Sequence, residues 1–315
     1  MRYETQRLPE LFLERLRSVI PSSKWNQVAN TFSESKPTTF RVNTLKTSAE
    51  DVRNFLQDQN FKVSWFPEAF ILQQDRQRDL EKTEAYLNGE IYIQNLSSMI
   101  PPLVLDPKPG ENILDLTAAP GGKTTQMACL MKGEGRIVAN ESDRIRFEKL
   151  KANVAMQNAR NVEVVLSYGE SFGNKHPEQF DRVLVDVPCS AEGRFLTSEP
   201  QSYRYWNLDK IKEIAKLQKK LLNSGLKALK AGGVLVYSTC TFSPEENEDV
   251  IDAVLQIYQQ TVELEPINLK LHNQMPGLAR FSGRQFNPHL KKAIRILPTT
   301  EMEGFFVAKL RKKGN

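Results

Sequence analysis

The chain has 315 residues, 40% of them hydrophobic and 26% charged, which is ordinary for a globular protein with one sizeable core and a smaller second domain. No apolar run approaches the roughly 20 residues needed to cross a bilayer, and the amphipathic N-terminus lacks a signal peptide's apolar centre. A membrane protein is therefore disfavoured and a cytoplasmic location is expected. The net charge of +5 points weakly towards a polyanionic partner.

The first third of the chain predicts a small α/β domain that ends near Tyr86. LPELFLERLRSVI and SAEDVRNFLQDQ have the apolar spacing of helices, whereas FRVNTLK and VSWFPEAFIL are typical of strands. The expected domains are thus residues 1–86 and 87–315.

The second domain alternates short apolar strands with helices, which predicts a parallel sheet with crossover helices. The strands are NILDL, RIVAN, VEVVL, RVLVD and GVLVYS, beginning at Asn112, Arg136, Val162, Arg182 and Gly233. The helices include GKTTQMACLM, DRIRFEKLKANVAMQ and a long one from Leu208 to Leu229. Ligands of such open sheets bind outside the carboxyl ends of the strands, so the residues that follow each strand are the candidates for a site.

Two stretches are strongly basic. Residues 204–230 contain eight Lys and Arg against two acidic residues, and residues 280–315 contain nine against two. In the long helix Ile211, Ala215 and Leu222 share one face, while Lys212 and Lys216 lie roughly opposite. Each stretch taken alone fits a solvated surface as well as a surface that binds a polyanion.

The first predicted strand runs into DLTAAPGGKT, where Gly121 and Gly122 allow a tight turn and close approach of a ligand as a helix begins. The turn is not a phosphate-binding P-loop, because Thr117 stands where that motif requires glycine. Glu141, at the end of the second strand, is placed to accept hydrogen bonds from ribose hydroxyls, although a lone glutamate there is often merely exposed.

Two cysteines and an aspartate follow the fourth and fifth strands, in DVPCS and YSTCTFSPEE. A buried cysteine is commonly only a small apolar residue, but Cys189, Cys240 and Asp186 together at adjacent strand ends favour a site. Ser243 and Glu246 resemble a helix cap, which predicts a helix starting three residues beyond Cys240, with its positive end favouring a thiolate. The adjacent glutamate charges oppose that effect.

The third cysteine, Cys129, lies in the helix after the glycine turn and is expected to serve packing. The three cysteines form no C-x-x-C pair, so neither a disulfide framework nor a metal site is expected.

The motifs DLTAAPGGKTTQMA, VDVPCSAEGRF and YSTCTFSPEENE together resemble the RsmB/NSUN (Sun-domain) family of RNA cytosine-5 methyltransferases. FRVNTLK, GEIYIQNLSS and EGFFVAKL are similar to further motifs of that family, in the expected order, so the resemblance covers nearly the whole chain. The arrangement looks most like RsmF-type ribosomal RNA enzymes without their C-terminal extension. The resemblance implies a Rossmann-like class I methyltransferase fold, S-adenosyl-L-methionine as cofactor, and cytosine in rRNA or tRNA as the target.

The resemblance also implies roles for individual residues. Cys240 would add to carbon 6 of cytosine, and Cys189 would assist removal of the carbon 5 proton and release of the product. Asp186 would hydrogen-bond the cytosine edge, with Lys123 beside it. The cofactor would contact Ala118, Ala119, Pro120, Gly121, Gly122, Lys123, Glu141, Arg146, Tyr168 and Asp186. RNA would contact Arg41, Asn43, Lys46, Gln94, Lys212 and Lys216.

Two positions depart from the family's pattern. Tyr168-Gly169 stands where an Asp-Gly usually contacts the adenine, and Ala191 follows Pro-Cys-Ser in place of glycine. Two outcomes are open: Tyr168 stacks on the adenine in place of the missing aspartate contact, or the cofactor pocket is weakened.

Two other functions compete with this reading. A DNA cytosine-5 methyltransferase would use Cys189 as its nucleophile, but Thr239-Cys240 and the lack of a long insertion between the late strands argue against it. A non-catalytic RNA-binding factor is disfavoured because both cysteines, Asp186 and Lys123 are present. A monomer is the default expectation, and rRNA is slightly favoured over tRNA by family analogy alone.

Overall fold

The structure, a computed structural model, describes residues 7–56, 61–72 and 77–314, with only the backbone described at 61–63. The helices are α1 Glu10–Val19, α2 Trp25–Asn30, α3 Ala49–Phe55, α4 Gln77–Leu80, α5 Glu84–Leu87, α6 Ile100–Leu105, α7 Gly122–Leu130, α8 Arg144–Met156, α9 Gly169–Lys175, α10 Leu208–Ala228 and α11 Glu248–Ile257. The strands are β1 Thr39–Val42, β2 Phe61–Val63, β3 Ala69–Leu72, β4 Ile91–Ile93, β5 Asn112–Asp115, β6 Arg136–Glu141, β7 Val162–Leu166, β8 Phe180–Asp186, β9 Leu229–Thr239, β10 Val262–Glu265, β11 Gln274–Pro276, β12 Arg280–Phe281, β13 Arg284–Gln285, β14 Ile294–Ile296 and β15 Phe305–Lys312.

The predicted parallel sheet is present. Its five parallel strands lie in the order β9-β8-β5-β6-β7, and β15 runs antiparallel along the outer side of β9. Successive residues of β8 point to opposite faces, so Val183 and Val185 join one hydrophobic core and Leu184 joins the other. Helices α7 and α8 pack on the face of Leu184, and α10 packs on the opposite face. The predicted α/β fold class is confirmed.

The N-terminal sheet is a four-stranded antiparallel one in the order β2-β3-β1-β4. VSWFPEAFIL was expected to be one strand, but its ends belong to two strands, β2 and β3, because a turn around Pro67 separates them. The expected boundary after Tyr86 is also too early, since β4 pairs with β1. The last predicted residues of α3, 57–59, lie outside the described residues.

The first helix packs against the second domain. Phe12 and Leu16 of α1 are buried in a cluster with Phe195 and Phe242 from the second half of the chain. Arg15 of α1 also forms a 2.6 Å ion pair with Glu245. A boundary drawn along the sequence therefore does not separate two independent packing units.

Arg41, Asn43 and Gln94 join the two domains. Arg41 is 1% exposed and donates to Gln94 Oε1 (2.9 Å) and Thr125 Oγ1 (2.7 Å), while Asn43, 0% exposed, donates to the carbonyl of Gln157. The expectation that Arg41 and Asn43 contact RNA is wrong, because buried and hydrogen-bonded side chains have no free surface for a ligand. Lys46 is exposed, but its ammonium group donates to the carbonyls of Asn88 and Met156.

The two basic stretches differ in the structure. In α10, Ile211, Ala215 and Leu222 are buried, whereas Lys212 and Lys216 are exposed, as the helical pattern predicts. The C-terminal cations are largely paired with carboxylates. The pairs are Arg284–Asp249, Arg284–Asp252, Arg295–Glu248, Lys309–Glu265, Arg311–Glu265, Lys312–Glu178 and Lys313–Glu263. Of the two, α10 offers the freer positive surface, although Lys212 forms a 3.3 Å ion pair with Asp209.

No helix within the described ranges is both long enough and apolar enough to cross a membrane.

Candidate active site

A cavity of about 450 Å³ opens at the carboxyl ends of β5, β8 and β9. We call it the catalytic cavity because it gathers most of the residues singled out from the sequence. Among those residues its walls include Gln94, Ala118, Ala119, Pro120, Gly122, Lys123, Arg146, Asp186, Cys189 and Cys240. Gly121, Glu141 and Tyr168 do not line it.

A larger cavity of about 600 Å³ lies between α7 and the N-terminal sheet. It contains Cys129 and Arg41 but neither of the other cysteines nor Asp186. Cys129 donates to Asn43 Oδ1 at 3.3 Å, so it belongs to the joint between the domains. The position of the chemically active groups, and not cavity size, identifies the site.

The glycine turn brings backbone close to the catalytic cavity. Gly121 has φ of +108°, in the left-handed region that favours glycine, and it directly precedes α7. A Cβ on Gly122 would lie 3.1 Å from the Tyr92 ring and 3.4 Å from Gln94 Oε1. The turn therefore presents the start of α7 to the cavity, where its N–H groups favour an anionic or polar ligand.

Two buried carboxylate oxygens near this turn lack a partner within the described part of the chain. Asp115 Oδ2 accepts from Thr124 Oγ1 at 2.6 Å, but its Oδ1 accepts no hydrogen bond. Burial raises the pKa of Asp115 to about 7, opposed in part by the Thr124 hydroxyl. Glu141, 3% exposed, accepts from two backbone N–H groups through Oε1, whereas Oε2 has no hydrogen-bond partner and lies 3.5 Å from Arg146.

Buried carboxylate oxygens that accept no hydrogen bond are unusual in protein interiors. They fit a ligand whose hydroxyl groups donate hydrogen bonds to them. The residues present could therefore hold a nucleoside cofactor, and Glu141 Oε2 would then accept a hydrogen bond from a ribose hydroxyl. Tyr168 is 70% exposed at the end of β7, the strand next to β6. Nothing in the structure brings its ring into the catalytic cavity.

Asp186 and Lys123 form an ion pair in the cavity. Lys123 Nζ lies 2.7 Å from Asp186 Oδ2 and donates to Ser98 Oγ at 2.9 Å, while Asp186 Oδ1 accepts from Ser238 Oγ at 2.6 Å. Both carboxylate oxygens are therefore held in place, with Lys123 and Asp186 side chains 14% and 26% exposed. A carboxylate fixed in this way can accept hydrogen bonds from a bound polar ring without reorganising.

Cys189 and Cys240 lie side by side, with 3.3 Å between their sulfur atoms. Their hydrogen bond, together with burial, raises the pKa of the Cys189 thiol well above its usual value. With Cys240 unreacted, Cys189 therefore keeps its proton at neutral pH and can donate a hydrogen bond to the Cys240 sulfur. Cys240, in the Thr-Cys motif, remains the candidate nucleophile that the sequence indicates.

The helix expected three residues beyond Cys240 does not begin there. Residues 244–247 form a turn, α11 starts at Glu248, and Ser243 Oγ donates to Glu245 instead of capping a helix. The predicted start of this helix is therefore wrong. Glu246 is turned inward because it binds the loop that carries Cys189.

The family is decided by comparison with known proteins. Residues 102–311 match the family model described as 16S rRNA methyltransferase RsmB/F, and residues 8–96 match the model of the N-terminal domain of 16S rRNA methyltransferase RsmF. The chain belongs to the RsmB/F methyltransferase family.

Its similar proteins within this family are RNA methyltransferases. The tRNA (cytosine(49)-C(5))-methyltransferase of Pyrococcus abyssi is 40% identical over 277 residues, covering 86% of this chain and 87% of that protein. The ribosomal RNA small subunit methyltransferase F of Serratia proteamaculans is 35% identical over 97% of this chain, but the chain spans only 63% of that protein's length.

Two solved structures from Pyrococcus horikoshii share the fold. A methyltransferase homolog protein superposes with a TM-score of 0.80 at 36% identity, over 97% of this chain and 100% of that one. NSun6 gives a TM-score of 0.81 over 98% of this chain and 100% of that one; at 23% identity it shows the fold alone.

Several residues of the catalytic cavity in this RsmB/F-family chain were not singled out as site residues, although each lies in a sequence motif that resembles the family. Arg194 and Glu303 line the catalytic cavity and form a 3.4 Å ion pair, although more than 100 residues separate them. Ser98, from the segment before α6, holds Lys123. Glu303 precedes the closing strand β15, so only the pairing of β15 with β9 brings it to the cysteines.

Proposed function

We propose that this protein transfers a methyl group from S-adenosyl-L-methionine to carbon 5 of a cytosine in RNA, through a covalent bond between Cys240 and the base. The observation that carries the proposal is the 3.3 Å sulfur pair, placed with the Lys123–Asp186 ion pair in one cavity beside the glycine turn. The names of the tRNA and rRNA relatives support RNA as the substrate class.

Carbon 5 of cytosine is a weak nucleophile, so the reaction needs covalent activation. The Cys240 thiolate adds to carbon 6, and the electron pair of the 5,6 double bond becomes available at carbon 5. Asp186 accepts a hydrogen bond from the amino group beside N3 of the base, which orients the ring and stabilises the adduct. S-Adenosylmethionine, when bound, supplies an electrophilic methyl group.

The adduct must then be resolved. While Cys240 is bonded to carbon 6 it carries no charge, so it no longer opposes ionisation of Cys189. The Cys189 thiolate takes the proton from carbon 5, the electron pair of that C–H bond reforms the double bond, and the bond from carbon 6 to Cys240 sulfur breaks. Cys240 leaves as a thiolate, and the protein is regenerated. The Sγ–Sγ distance places a protonated thiol directly beside the leaving sulfur.

The test is transfer of labelled methyl from S-adenosylmethionine to RNA, followed by nucleoside analysis for 5-methylcytosine. Total RNA, purified rRNA, purified tRNA and DNA of matched sequence serve as parallel substrates. Label in 5-methylcytosine of one RNA class supports the proposal. Label only in DNA, or none in any nucleic acid that the protein binds, contradicts it. The monomeric state stays a prediction.

Glu141→Gln is expected to weaken binding of S-adenosylmethionine about 10- to 100-fold, because Oε2, which accepts no hydrogen bond in the structure, would no longer be a charged acceptor for ribose hydroxyls. Isothermal titration calorimetry measures the change, with RNA affinity unaltered. Glu163→Gln, an exposed glutamate on the next strand, is the matched control. Unchanged cofactor affinity in Glu141→Gln would exclude the ribose contact.

RNA is expected to lie along the N-terminal half of α10. Tyr205, just before this helix, is 63% exposed, with the Arg204 guanidinium 4.4 Å and Lys210 Nζ 5.9 Å from its ring centre. An exposed aromatic ring flanked by cations is a surface on which an unpaired base stacks. Lys212 and Lys216 extend the positive charge along the exposed face.

Lys212→Ala/Lys216→Ala is expected to lower RNA affinity and to reduce the salt slope of binding by about 1.4, since each phosphate contact to single-stranded RNA contributes about 0.7. Binding is measured by fluorescence anisotropy at several salt concentrations. Lys149→Ala/Lys151→Ala, on the exposed side of α8 across the sheet, is the control. Equal losses in the two double variants would argue against a specific role for α10.

A further inference from the structure

Two buried glutamates lie behind the cysteine pair, and neither lines the catalytic cavity. Glu192, three residues after Cys189, is 3% exposed. Its Oε2 accepts from Thr241 Oγ1 at 2.9 Å and from the backbone N–H of Phe242 at 3.0 Å, and its Oε1 accepts from Trp206 Nε1 at 2.8 Å. The loop of Cys189 thus holds the two residues that follow Cys240.

The second glutamate makes the opposite connection. Glu246, six residues after Cys240, is 0% exposed. Its Oε2 accepts from the backbone N–H of Ser190 and from Gln218 Nε2, both at 2.9 Å, and its Oε1 accepts from Ser190 Oγ. The loop of Cys240 thus holds the residue that follows Cys189.

Two further hydrogen bonds close the arrangement. Ser190 Oγ and Thr241 Oγ1 lie 2.7 Å apart, and the backbone N–H of Gly193 donates to the carbonyl of Cys240 at 2.9 Å. We call this reciprocal set of bonds, made by Glu192 and Glu246 across the two loops, the clasp. Each cysteine is followed immediately by a residue that the other loop fixes.

We propose that Glu192 and Glu246 are positioning residues that set the spacing between Cys189 and Cys240, and that this spacing governs resolution of the covalent adduct. The second clause rests on the proposed function. Attack on the base requires Cys240 alone, whereas resolution requires Cys189 to stay beside it. Loosening the clasp therefore slows resolution more than attack.

Glutamine substitutions break the clasp while keeping its volume. Each carboxylate accepts three hydrogen bonds, whereas an amide has one acceptor oxygen and an NH₂ group that faces existing donors. The substitution leaves a buried donor without a partner, and the free-energy penalty of that donor is large enough to displace a loop. Asp252→Asn is the matched control, because Asp252 is a buried carboxylate of α11 that accepts from Asn287 and lies outside both loops.

The first measurement does not depend on methyl transfer. Phenylarsine oxide binds tightly only to two thiols held close together, so its affinity reports the spacing of Cys189 and Cys240. Glu192→Gln and Glu246→Gln are expected to weaken this binding about tenfold, as expected for a lost buried hydrogen bond to a charged group, whereas Asp252→Asn leaves it unchanged. Wild-type affinity in both glutamine variants would overturn the proposal.

The second measurement follows the protein–RNA adduct on denaturing gels in a single turnover with S-adenosylmethionine. Both glutamine variants are expected to form adduct within about threefold of the wild-type rate but to release methylated RNA at least about tenfold more slowly. Equal slowing of both steps, as in a merely destabilised protein, would overturn the clasp's role in resolution. A wild-type protein that binds phenylarsine oxide yet methylates no RNA would contradict the proposed function. The conclusion that Glu192 and Glu246 set the spacing of the two cysteines would still stand.

Discussion

Cys240→Ala is expected to lower methyl transfer to RNA on the order of 10⁴-fold or more and to yield no protein–RNA adduct, because no other group can take the place of the attacking sulfur. Labelled methyl transfer and denaturing gels measure the two losses. Binding of RNA and of S-adenosylmethionine should persist, since the thiol lies beside the Lys123–Asp186 pair and not within it.

Cys189→Ala is the informative contrast. It leaves the attacking sulfur in place but removes the group at 3.3 Å that assists resolution, so adduct should accumulate while turnover falls. Cys129→Ala, a thiol at the domain joint, is the control and should behave as wild type in both assays. The reverse pattern, with adduct in Cys240→Ala and none in Cys189→Ala, would exchange the two roles. Cys189 would then be the nucleophile, as expected for a DNA cytosine-5 methyltransferase.

The fold was largely predictable from the sequence because hydrophobic periodicity is a local signal. Strands β5 to β9 each overlap one of the five predicted apolar runs, and α10 starts at Leu208 as expected. Their parallel order brought Asp186, Cys189 and Cys240 to one edge of the sheet. Convergence of strand ends therefore located the site before any side-chain geometry was known.

What the sequence could not reveal is whether a polar side chain faces solvent or another part of the same chain. Arg41 and Asn43 lie in a motif with the composition of a nucleic-acid contact, yet partners more than 80 residues away bury them. The local spacing of Glu246 predicted a helix cap. In the structure its side chain is buried and accepts hydrogen bonds from Ser190 and Gln218, and α11 starts only at Glu248. In each case long-range hydrogen bonds, and not the local sequence pattern, determine where the side chain lies.

Asp186→Asn is expected to reduce turnover about 10²- to 10³-fold, as does the loss of a preorganised electrostatic group in an active site. Asparagine retains the size of the side chain, but it loses the charge paired with Lys123 at 2.7 Å and is a weaker acceptor for the amino group of the base. Because the hydrogen bond to the base stabilises the adduct itself, adduct formation should fall together with product formation, unlike the accumulation expected for Cys189→Ala. Single-turnover kinetics at saturating RNA separate the two behaviours.

The same strand offers a matched control for that experiment. Asp181 of β8 also pairs with a lysine at 2.7 Å, Lys230, but at the opposite end of the strand from the cavity. Asp181→Asn should cost some stability and leave the single-turnover rate unchanged. If Asp186→Asn retained wild-type turnover, the carboxylate would serve only to hold Lys123. Other residues of the cavity would then have to bind the base edge, and Arg194 and Glu303 would be the first candidates. A rate loss confined to Asp186→Asn instead ties this carboxylate to the chemistry, because the two variants break equivalent ion pairs and differ only in where those pairs lie.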